Sequence, residues 1–204
     1  MLPVLKSEIM KMLLNLLFVL SGSALLGQPD FGEVTLTQLQ NSTLQIMGKT
    51  NVTGFECFFE PEYFEAHKTI AYCNQGALIL LRNARLVLDI NGFNCGGKAI
   101  NADFRAMLKA EEYPVITLNF KQLSRVENGL EALVAIALAG QEHTYSIPVH
   151  YDTGELKHLK GILKLNITDY DLQLPKKLFG LLKIKEEIAI AFDIAGVLNI
   201  DELE

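Results

Sequence analysis

Hydrophobic and polar residues alternate along most of the chain after residue 34, in short runs that turn residues separate. Alternation with a period of two is typical of a strand that buries one face. About eight runs have strand-like patterns: "STLQIMGKTNV", "GFECFFE", "GALILLRNARLVLDI", "PVITLNFKQLS", "LEALVAIALAG", "TYSIPVHY", "GILKLNI" and "EEIAIAFDI". Turn signals separate them at "NGL" (128–130) and "TGE" (153–155). The pattern predicts an all-β protein, an antiparallel barrel or sandwich of about eight strands.

The same alternation predicts which side chains face the interior. In "EEIAIAFDI", Ile188, Ile190, Phe192 and Ile194 share one face of the strand. Three further strands contribute Leu163, Leu165 and Ile167, then Tyr145, Ile147, Val149 and Tyr151, and then Ile116, Leu118 and Phe120. This set is bulky and apolar, so it either fills a solid core or surrounds a cavity. A barrel of about eight strands can be wide enough to hold one small ligand.

One helical segment interrupts the strands, within "FNCGGKAINADFRAMLKAEEYPVITLNF" (residues 93–120). Asn101 is suited to an N-cap, and "ADFRAMLKA" places Phe104, Met107 and Leu108 on one face. We expect a short amphipathic helix at about 101–109 across one end of the barrel. It is either a lid whose side chains contact a ligand or a plug that only fills the end of the core.

Residues 1–27 have the features of a signal peptide. Lys6 and Lys11 precede "MLLNLLFVLSGSALL", an apolar run shorter than the roughly 20 residues that span a bilayer. We expect cleavage after Ala24 or after Gly27, which places the mature protein in the periplasm or outside the cell. An uncleaved signal anchor is the alternative.

The remaining residues, 28–204, are enough for one domain with a sizeable core. Half of the residues are hydrophobic and 21% are charged, as in globular proteins. The formal net charge is -6, and the sequence has no extended basic cluster. Nucleic-acid binding generally requires a concentrated basic face, so we do not expect a nucleic-acid partner.

Three cysteines, Cys57, Cys73 and Cys95, lie in the part of the chain that we expect to be exported. An oxidising compartment favours a disulfide between two of them. The similar segments "FEC" (55–57) and "FNC" (93–95) have the pattern of paired strand edges. They favour a Cys57–Cys95 disulfide with Cys73 free, and the alternative joins Cys57 to Cys73 across a hairpin.

Catalytic and metal sites are not indicated by the sequence. Catalysis requires titratable groups that converge, whereas the histidines are scattered along the chain, at His67, His143, His150 and His158. No two cysteines or histidines stand at the spacing of zinc ligands. We therefore expect neither an enzyme nor a protein that depends on a metal or another cofactor.

Several segments together resemble the YceI-like family. They are "LQIMGKTNVTGFECFF", "LVLDINGFNCGGKAINADF", "LKAEEYPVITLNF" and "LKGILKLNITDYDLQLPKKLFGLLKIKEEIAIAFDI". The resemblance covers roughly residues 34–195 and depends on the order and spacing of these segments. The first strands lack the Asp and His-Ser pattern of better-known members, so the chain is similar to a shorter branch that contains cysteines.

The resemblance implies an exported bacterial protein with an extended, lipocalin-like barrel. Such a protein would bind a long apolar ligand, a polyisoprenoid or another lipid, inside the barrel. The residues expected to line the cavity are Phe104, Met107, Leu108, Ile116, Leu118, Phe120, Ile147, Val149, Leu163, Leu165, Ile190 and Phe192. The alternative function is an exported structural or interaction domain with a filled core and no small ligand.

Overall fold

The fold is described by a computed structural model, and the description covers five stretches of the chain. They are residues 31–37, 39–127, 129–152, 157–172 and 185–196. The expected signal peptide and the turn expected at 153–155 lie outside these residues, as does Asn128 of the other turn. No helix within the five stretches has the length and apolar character of a membrane span.

Twelve strands and one α-helix make up the regular structure of the described residues. The strands are β1 (Gly32–Thr37), β2 (Thr43–Lys49), β3 (Gly54–Phe59), β4 (His67–Gln75), β5 (Leu78–Arg82), β6 (Arg85–Asp89), β7 (Phe93–Asn94), β8 (Val115–Val126), β9 (Gly129–Leu138), β10 (Gln141–Asp152), β11 (His158–Asn166) and β12 (Glu187–Ala195). The helix, α1, is Lys98–Met107. Short 3-10 helices occupy Leu39–Asn41, Pro61–Tyr63, Ile90–Gly92 and Ile167–Tyr170.

All the strands pair antiparallel in one curled sheet, with the order β1-β4-β5-β8-β9-β10-β11-β12-β2-β3-β7 and β6 beside β8. Strands β6 and β7 follow each other in the chain, with the 3-10 helix Ile90–Gly92 between them; β6 pairs with β8 and β7 pairs with β3. Between them, the Ile90 N–H donates to the Pro114 carbonyl and the Glu60 N–H donates to the Gly92 carbonyl. This segment therefore joins the two sides of the curled sheet into a barrel.

The sheet divides at the long strand β8. The first half of β8 pairs with β6, its second half pairs with β5, and the register shifts between Phe120 and Gln122. From β5 the strands β4 and β1 continue as a three-stranded branch beside the barrel. The chain turns from β5 into β6 at Asn83, whose φ of 59° is a left-handed conformation that asparagine adopts more readily than most residues. We call the point where β5 and β6 separate the sheet division.

The predicted fold class, an antiparallel lipocalin-like barrel with one helix, is confirmed. The described residues contain twelve strands, however, where the sequence predicted about eight. The run "GALILLRNARLVLDI" forms two strands because the chain turns at Asn83. Strand β4 is rich in polar residues and β7 has only two residues, so neither shows clear alternation. Strand β1, "GEVTLT", does alternate but has only two large apolar residues, and it was not among the predicted runs.

The helix lies where the sequence predicted it, but its bounds differ. It begins at Lys98 and ends at Met107, three residues earlier than the predicted start and two earlier than the predicted end. Gly97, not Asn101, is its N-cap. The Asn101 side chain instead accepts a hydrogen bond of 2.7 Å from the Cys95 N–H, which ties the first turn of the helix to the segment before it.

The inward faces predicted for β11 and β12 are confirmed by burial, whereas Phe120 of β8 and Tyr145 and Tyr151 of β10 are only partly buried. On β12 the residues Ile188, Ile190, Phe192 and Ile194 are all buried, while the residues between them are partly exposed or exposed. Strand β11 buries Leu159, Leu163 and Leu165 in the same alternating way. The apolar side chains of both strands therefore point into the barrel, as the period of two requires.

Candidate functional site

The inward-facing side chains surround two separate apolar cavities, one at each end of the barrel. The larger, of about 80 Å³, lies beside the sheet division, and we call it the division cavity. Its walls are Leu36, Leu39, Lys68, Ile70, Leu81, Ala84, Arg85, Leu86, Phe120, Leu123, Leu159 and Ile194. These residues come both from the branch (β1, β4 and β5) and from the barrel strands (β6, β8, β11 and β12). The cavity exists because the branch leaves the barrel at this point.

Two of the residues around the division cavity are charged, and both are reached by solvent. The Lys68 side chain is half-buried, and its Nζ lies 3.1 Å from a carboxylate oxygen of Glu65. Arg85 is exposed, and its Nη2 donates a hydrogen bond of 3.3 Å to the Thr117 hydroxyl. Because these are the polar members of an otherwise apolar lining, they mark the side from which the cavity faces water.

The smaller cavity, of about 20 Å³, lies beneath α1, and we call it the helix cavity. It is lined by Ile46, Phe55, Phe104, Met107, Leu108, Ile116, Ile136, Leu138, Leu165, Ile167, Ile188 and Ile190. The helix contributes Phe104 and Met107, which are 5% and 6% exposed. The Phe104 ring also packs against Phe93, with 5.3 Å between ring centroids. The helix therefore fills this end of the barrel almost completely.

A disulfide between Cys57 and Cys95 fixes the helix end of the barrel. The Cα atoms of the two residues are 4.0 Å apart, and the bond joins β3 to the segment that leads into α1. Cys73, on β4, is a free and buried cysteine. The preferred prediction from the sequence is confirmed, and the alternative pairing of Cys57 with Cys73 is wrong.

Two tyrosines bring hydroxyl groups into the barrel wall. The Tyr145 hydroxyl is buried and has no hydrogen-bond partner among the described residues. Tyr170 is fully buried, and its hydroxyl donates a long hydrogen bond of 3.4 Å to the Ile136 carbonyl. Burial, followed by the neighbouring Tyr145 hydroxyl, raises the pKa of Tyr170 above its usual range. This tyrosine therefore stays protonated at neutral pH.

Charged groups gather instead on the outside of the barrel, where β10, β11 and β12 lie side by side. The Nδ1 atom of His158 is 2.5 Å from an Asp193 carboxylate oxygen, and the Lys160 Nζ lies within 3.5 Å of both Asp152 and Asp193. All four histidines belong to strands: His67 to β4, His143 and His150 to β10, and His158 to β11. Among the described residues no group of three His, Cys, Asp or Glu side chains is arranged to hold a metal ion.

Comparison with known families identifies this architecture. Residues 33–196 match the family described as the YceI-like domain. The chain belongs to the YceI-like family. The match covers nearly the whole of the described structure, so it agrees with the resemblance that the sequence segments carry.

Solved structures with this YceI-like fold include two that align over most of the chain. BcnA of Burkholderia cenocepacia has a TM-score of 0.60 and 16% identity, covering 79% of this chain and 99% of its own. A polyisoprenoid binding domain from Saccharophagus degradans has a TM-score of 0.56 and 13% identity, covering 80% of this chain and 98% of its own. At these identities the likeness shows the fold alone. No curated protein matches the sequence.

The predicted cavity-lining residues of this YceI-like barrel fall into three groups. Phe120 lines the division cavity, and Phe104, Met107, Leu108, Ile116, Leu165 and Ile190 line the helix cavity. The others, Leu118, Ile147, Val149, Leu163 and Phe192, are buried but line neither of the two cavities. Most walls of the division cavity, including Leu36, Ile70, Leu81 and Leu86, were not predicted from the sequence. Those side chains lie on β1, β4, β5 and β6, and only the pairing of these strands shows that they meet.

Proposed function

We propose that this YceI-like protein is an exported binding protein that holds the apolar chain of a lipid in its barrel. The lipid chain enters beside the sheet division and occupies the division cavity. Lys68 and Arg85 lie at the solvent side of this cavity, and Phe120 lies at its inner side. The observation that carries the proposal is this apolar cavity, which has an almost wholly aliphatic and aromatic lining and opens between two cations. Burial of apolar surface alone is then enough to favour binding.

Membership of the family supports a binding role, since YceI-like proteins are binding proteins rather than known enzymes. The Saccharophagus degradans structure is described as a polyisoprenoid binding domain, which makes polyisoprenoids one candidate class for the chain. Other lipids with a single apolar chain fit the same cavity chemistry. Of the cavity-lining residues predicted from the sequence, Phe120 is proposed as part of the wall of this binding site, and the six that line the helix cavity lie beyond it.

Export is the second part of the proposal. Residues 1–27 have the sequence features of a signal peptide, and proteins of this family are typically exported to the periplasm. The disulfide between Cys57 and Cys95 supports the same location, because disulfides persist in oxidising compartments and are rare in the cytosol.

The alternative function, an interaction domain with a filled core, is favoured by the size of the cavities. Pockets for drug-sized ligands enclose roughly 300–1,000 Å³. The division cavity encloses about 80 Å³ and the helix cavity about 20 Å³. On this alternative, both cavities are ordinary packing defects and no chain is bound.

A lipid extract of the purified protein separates these two functions. The full chain is produced in a bacterial host that exports it, purified without detergent and examined by native mass spectrometry. Isothermal titration with octanoate and with farnesol then tests two chemically different chains. Burial of six or seven methylenes, close to the most that the cavity could hold, predicts dissociation constants of roughly 80–300 μM for octanoate.

A matched pair of variants makes the result specific to the division cavity. Ala84 is buried in the wall of that cavity, so Ala84→Leu fills it, whereas Ala191→Leu adds the same atoms on the outer face of β12. We expect Ala84→Leu to abolish binding and Ala191→Leu to leave it unchanged. A wild-type protein that retains no lipid and binds neither chain at 1 mM would leave the interaction domain as the function.

A further inference from the structure

The two cavities are parts of one interior that a layer of side chains separates. They share no lining residue. Along β12, Ile190 lines the helix cavity and Ile194 lines the division cavity, whereas Phe192 between them lines neither. Because alternate residues of a strand share a face, all three point into the barrel. Phe192 therefore stands between the cavities.

The neighbouring strand repeats this arrangement. On β11, Leu165 lines the helix cavity and Leu159 lines the division cavity, while Leu163 lies between them and is buried. The layer that separates the cavities therefore extends across at least two strands. It is a continuous feature of the barrel and not the position of one side chain.

Two aromatic rings form the side of this layer that faces the division cavity. Phe120 lines that cavity, and its ring meets the Phe192 ring edge-on, with 6.3 Å between centroids. Gly161 is the cross-strand partner of Phe192. A Cβ atom at position 161 would collide with the Phe192 ring, so the ring occupies space that any other residue there would fill.

We propose that Phe120 and Phe192 set the length of the apolar chain that this protein accepts. The inference rests on the proposed function and narrows it, from a long apolar ligand to a lipid with a short single chain. The end of the lipid chain meets the Phe120 ring, which the Phe192 ring supports from behind, and carbons beyond the capacity of the division cavity stay outside the barrel. Phe120 and Phe192 are thus specificity-determining residues.

The volume of the division cavity gives the expected length. A volume of about 80 Å³ holds roughly three water-sized groups at liquid density, about 30 Å³ for each, and at most about eight at the minimum of 10–15 Å³ for each. A methylene group is of similar size to a water molecule, so the cavity holds about three to eight carbons. Removal of the rings would connect the division cavity with the helix cavity and lengthen the available path.

Straight-chain saturated fatty acids of 3 to 16 carbons test this inference, because they share one carboxylate head and differ only in chain length. For the wild-type protein, the dissociation constant should fall about fourfold for each added methylene up to a length of about three to eight carbons. Beyond that length it should change less than twofold for each carbon. Phe192→Ala and Phe120→Ala should each move this limit upwards by at least two carbons.

Phe64→Ala is the matched control, since Phe64 is also buried but lines neither cavity. It should lose stability like the other variants and keep the wild-type length limit. Each variant is first checked for cooperative thermal unfolding, and Phe192→Leu replaces Phe192→Ala if the alanine variant does not fold.

The outcomes distinguish this inference from the function on which it rests. If no fatty acid binds the wild-type protein, the proposed function fails. If fatty acids bind but affinity keeps rising beyond about ten carbons, the layer does not limit chain length and the inference is wrong. The inference is equally wrong if the limit is the same in Phe64→Ala, Phe120→Ala and every folded variant of Phe192.

Discussion

The side chains on the inward faces of the strands are surrounded by apolar groups, so a charged residue there would destabilise the fold. Phe192 is 4% exposed and lies among apolar side chains, so Phe192→Asp would place an unpaired carboxylate in the core. The cost is several kcal/mol, which is comparable with the roughly 5–15 kcal/mol that stabilises a typical domain. We expect the variant to be unfolded or aggregated at 25 °C, as measured by circular dichroism during heating.

The neighbouring Ala191 provides the control for this substitution. It points to the outer face of β12 and is partly exposed, so Ala191→Asp should change the free energy of unfolding by less than about 1 kcal/mol. A soluble Phe192→Asp variant with a cooperative transition would contradict the assignment of the two faces.

The raised pKa of the Tyr170 hydroxyl predicts how the stability of the protein depends on pH in the alkaline range. Burial raises the pKa of its hydroxyl in the folded protein, whereas the same group in the unfolded chain ionises near pH 10. Above pH 10 the folded state therefore binds more protons than the unfolded state, so the contribution is complete below pH 10 and is lost as pH rises. Tyr170→Phe should make the loss of stability between pH 9 and 11.5 shallower, as measured by urea unfolding.

Tyr63→Phe is the control for this pH dependence, because the Tyr63 side chain is exposed. It should leave the alkaline pH dependence of the wild-type protein unchanged. If Tyr170→Phe and the wild-type protein lose stability with the same slope above pH 10, Tyr170 does not contribute to alkaline unfolding.

Among the structural elements, β3 is connected covalently to the segment that leads into α1. The Cys57–Cys95 disulfide closes a loop with a sequence separation of 38 residues. In the chain-entropy treatment such a loop contributes about 4 kcal/mol by restricting the unfolded chain. We expect the double substitution Cys57→Ser and Cys95→Ser to lower the free energy of unfolding by about that amount, as measured by urea denaturation.

Reducing agent supplies the control for the disulfide. Dithiothreitol should destabilise the wild-type protein and the Cys73→Ser variant but not the double variant, which has no disulfide to reduce. Peptide mapping without reduction should recover Cys57 and Cys95 in one linked fragment. A linked fragment that contains Cys73 would contradict the structure.

The helix α1 behaves as a plug in this structure, because the cavity beneath it is only about 20 Å³. Truncation of Phe104 or Met107 to alanine should lower the free energy of unfolding by roughly 2–5 kcal/mol. Binding of octanoate in the distant division cavity should change less than twofold. We would measure thermal unfolding and titration calorimetry on the same samples, with Arg105→Ala, a partly exposed residue, as control.

The lid alternative gives the opposite result for the same variants. If Phe104→Ala weakens octanoate binding tenfold in a protein that is still folded, the helix contacts the ligand directly. The layer formed by Phe120 and Phe192 would then not separate the two ends of the barrel.

At the scale of the whole molecule, we predict that the protein is exported and that its signal peptide is removed. We expect the mature protein to begin at Leu25 or Gln28, after cleavage behind Ala24 or Gly27. Intact-mass measurement on the periplasmic fraction tests this directly. Ala24→Leu should disturb cleavage after residue 24 but not after residue 27, and a full-length chain in the membrane fraction would indicate an uncleaved anchor.

Some parts of the barrel could be predicted from the sequence and others could not. Strands β11 and β12 alternate regularly, so their inward faces could be predicted residue by residue. Strand β4, "HKTIAYCNQ", mixes polar and apolar residues without clear alternation, because it belongs to a branch and not to the barrel. The helix was predicted from its apolar face, but its start was not, because Asn101 uses its side chain to accept from the Cys95 N–H instead of capping the helix.

The sequence by itself determined the all-β class, the inward faces, the existence of one amphipathic helix and the preferred disulfide. Each depends on residues that are close in the chain or on recurrent local patterns. Only the tertiary structure decided that the sheet divides at β8 and that a layer of side chains separates the division cavity from the helix cavity. An enclosed volume depends on how distant residues such as Leu36, Leu86 and Ile194 meet, and local periodicity carries no information about that distance.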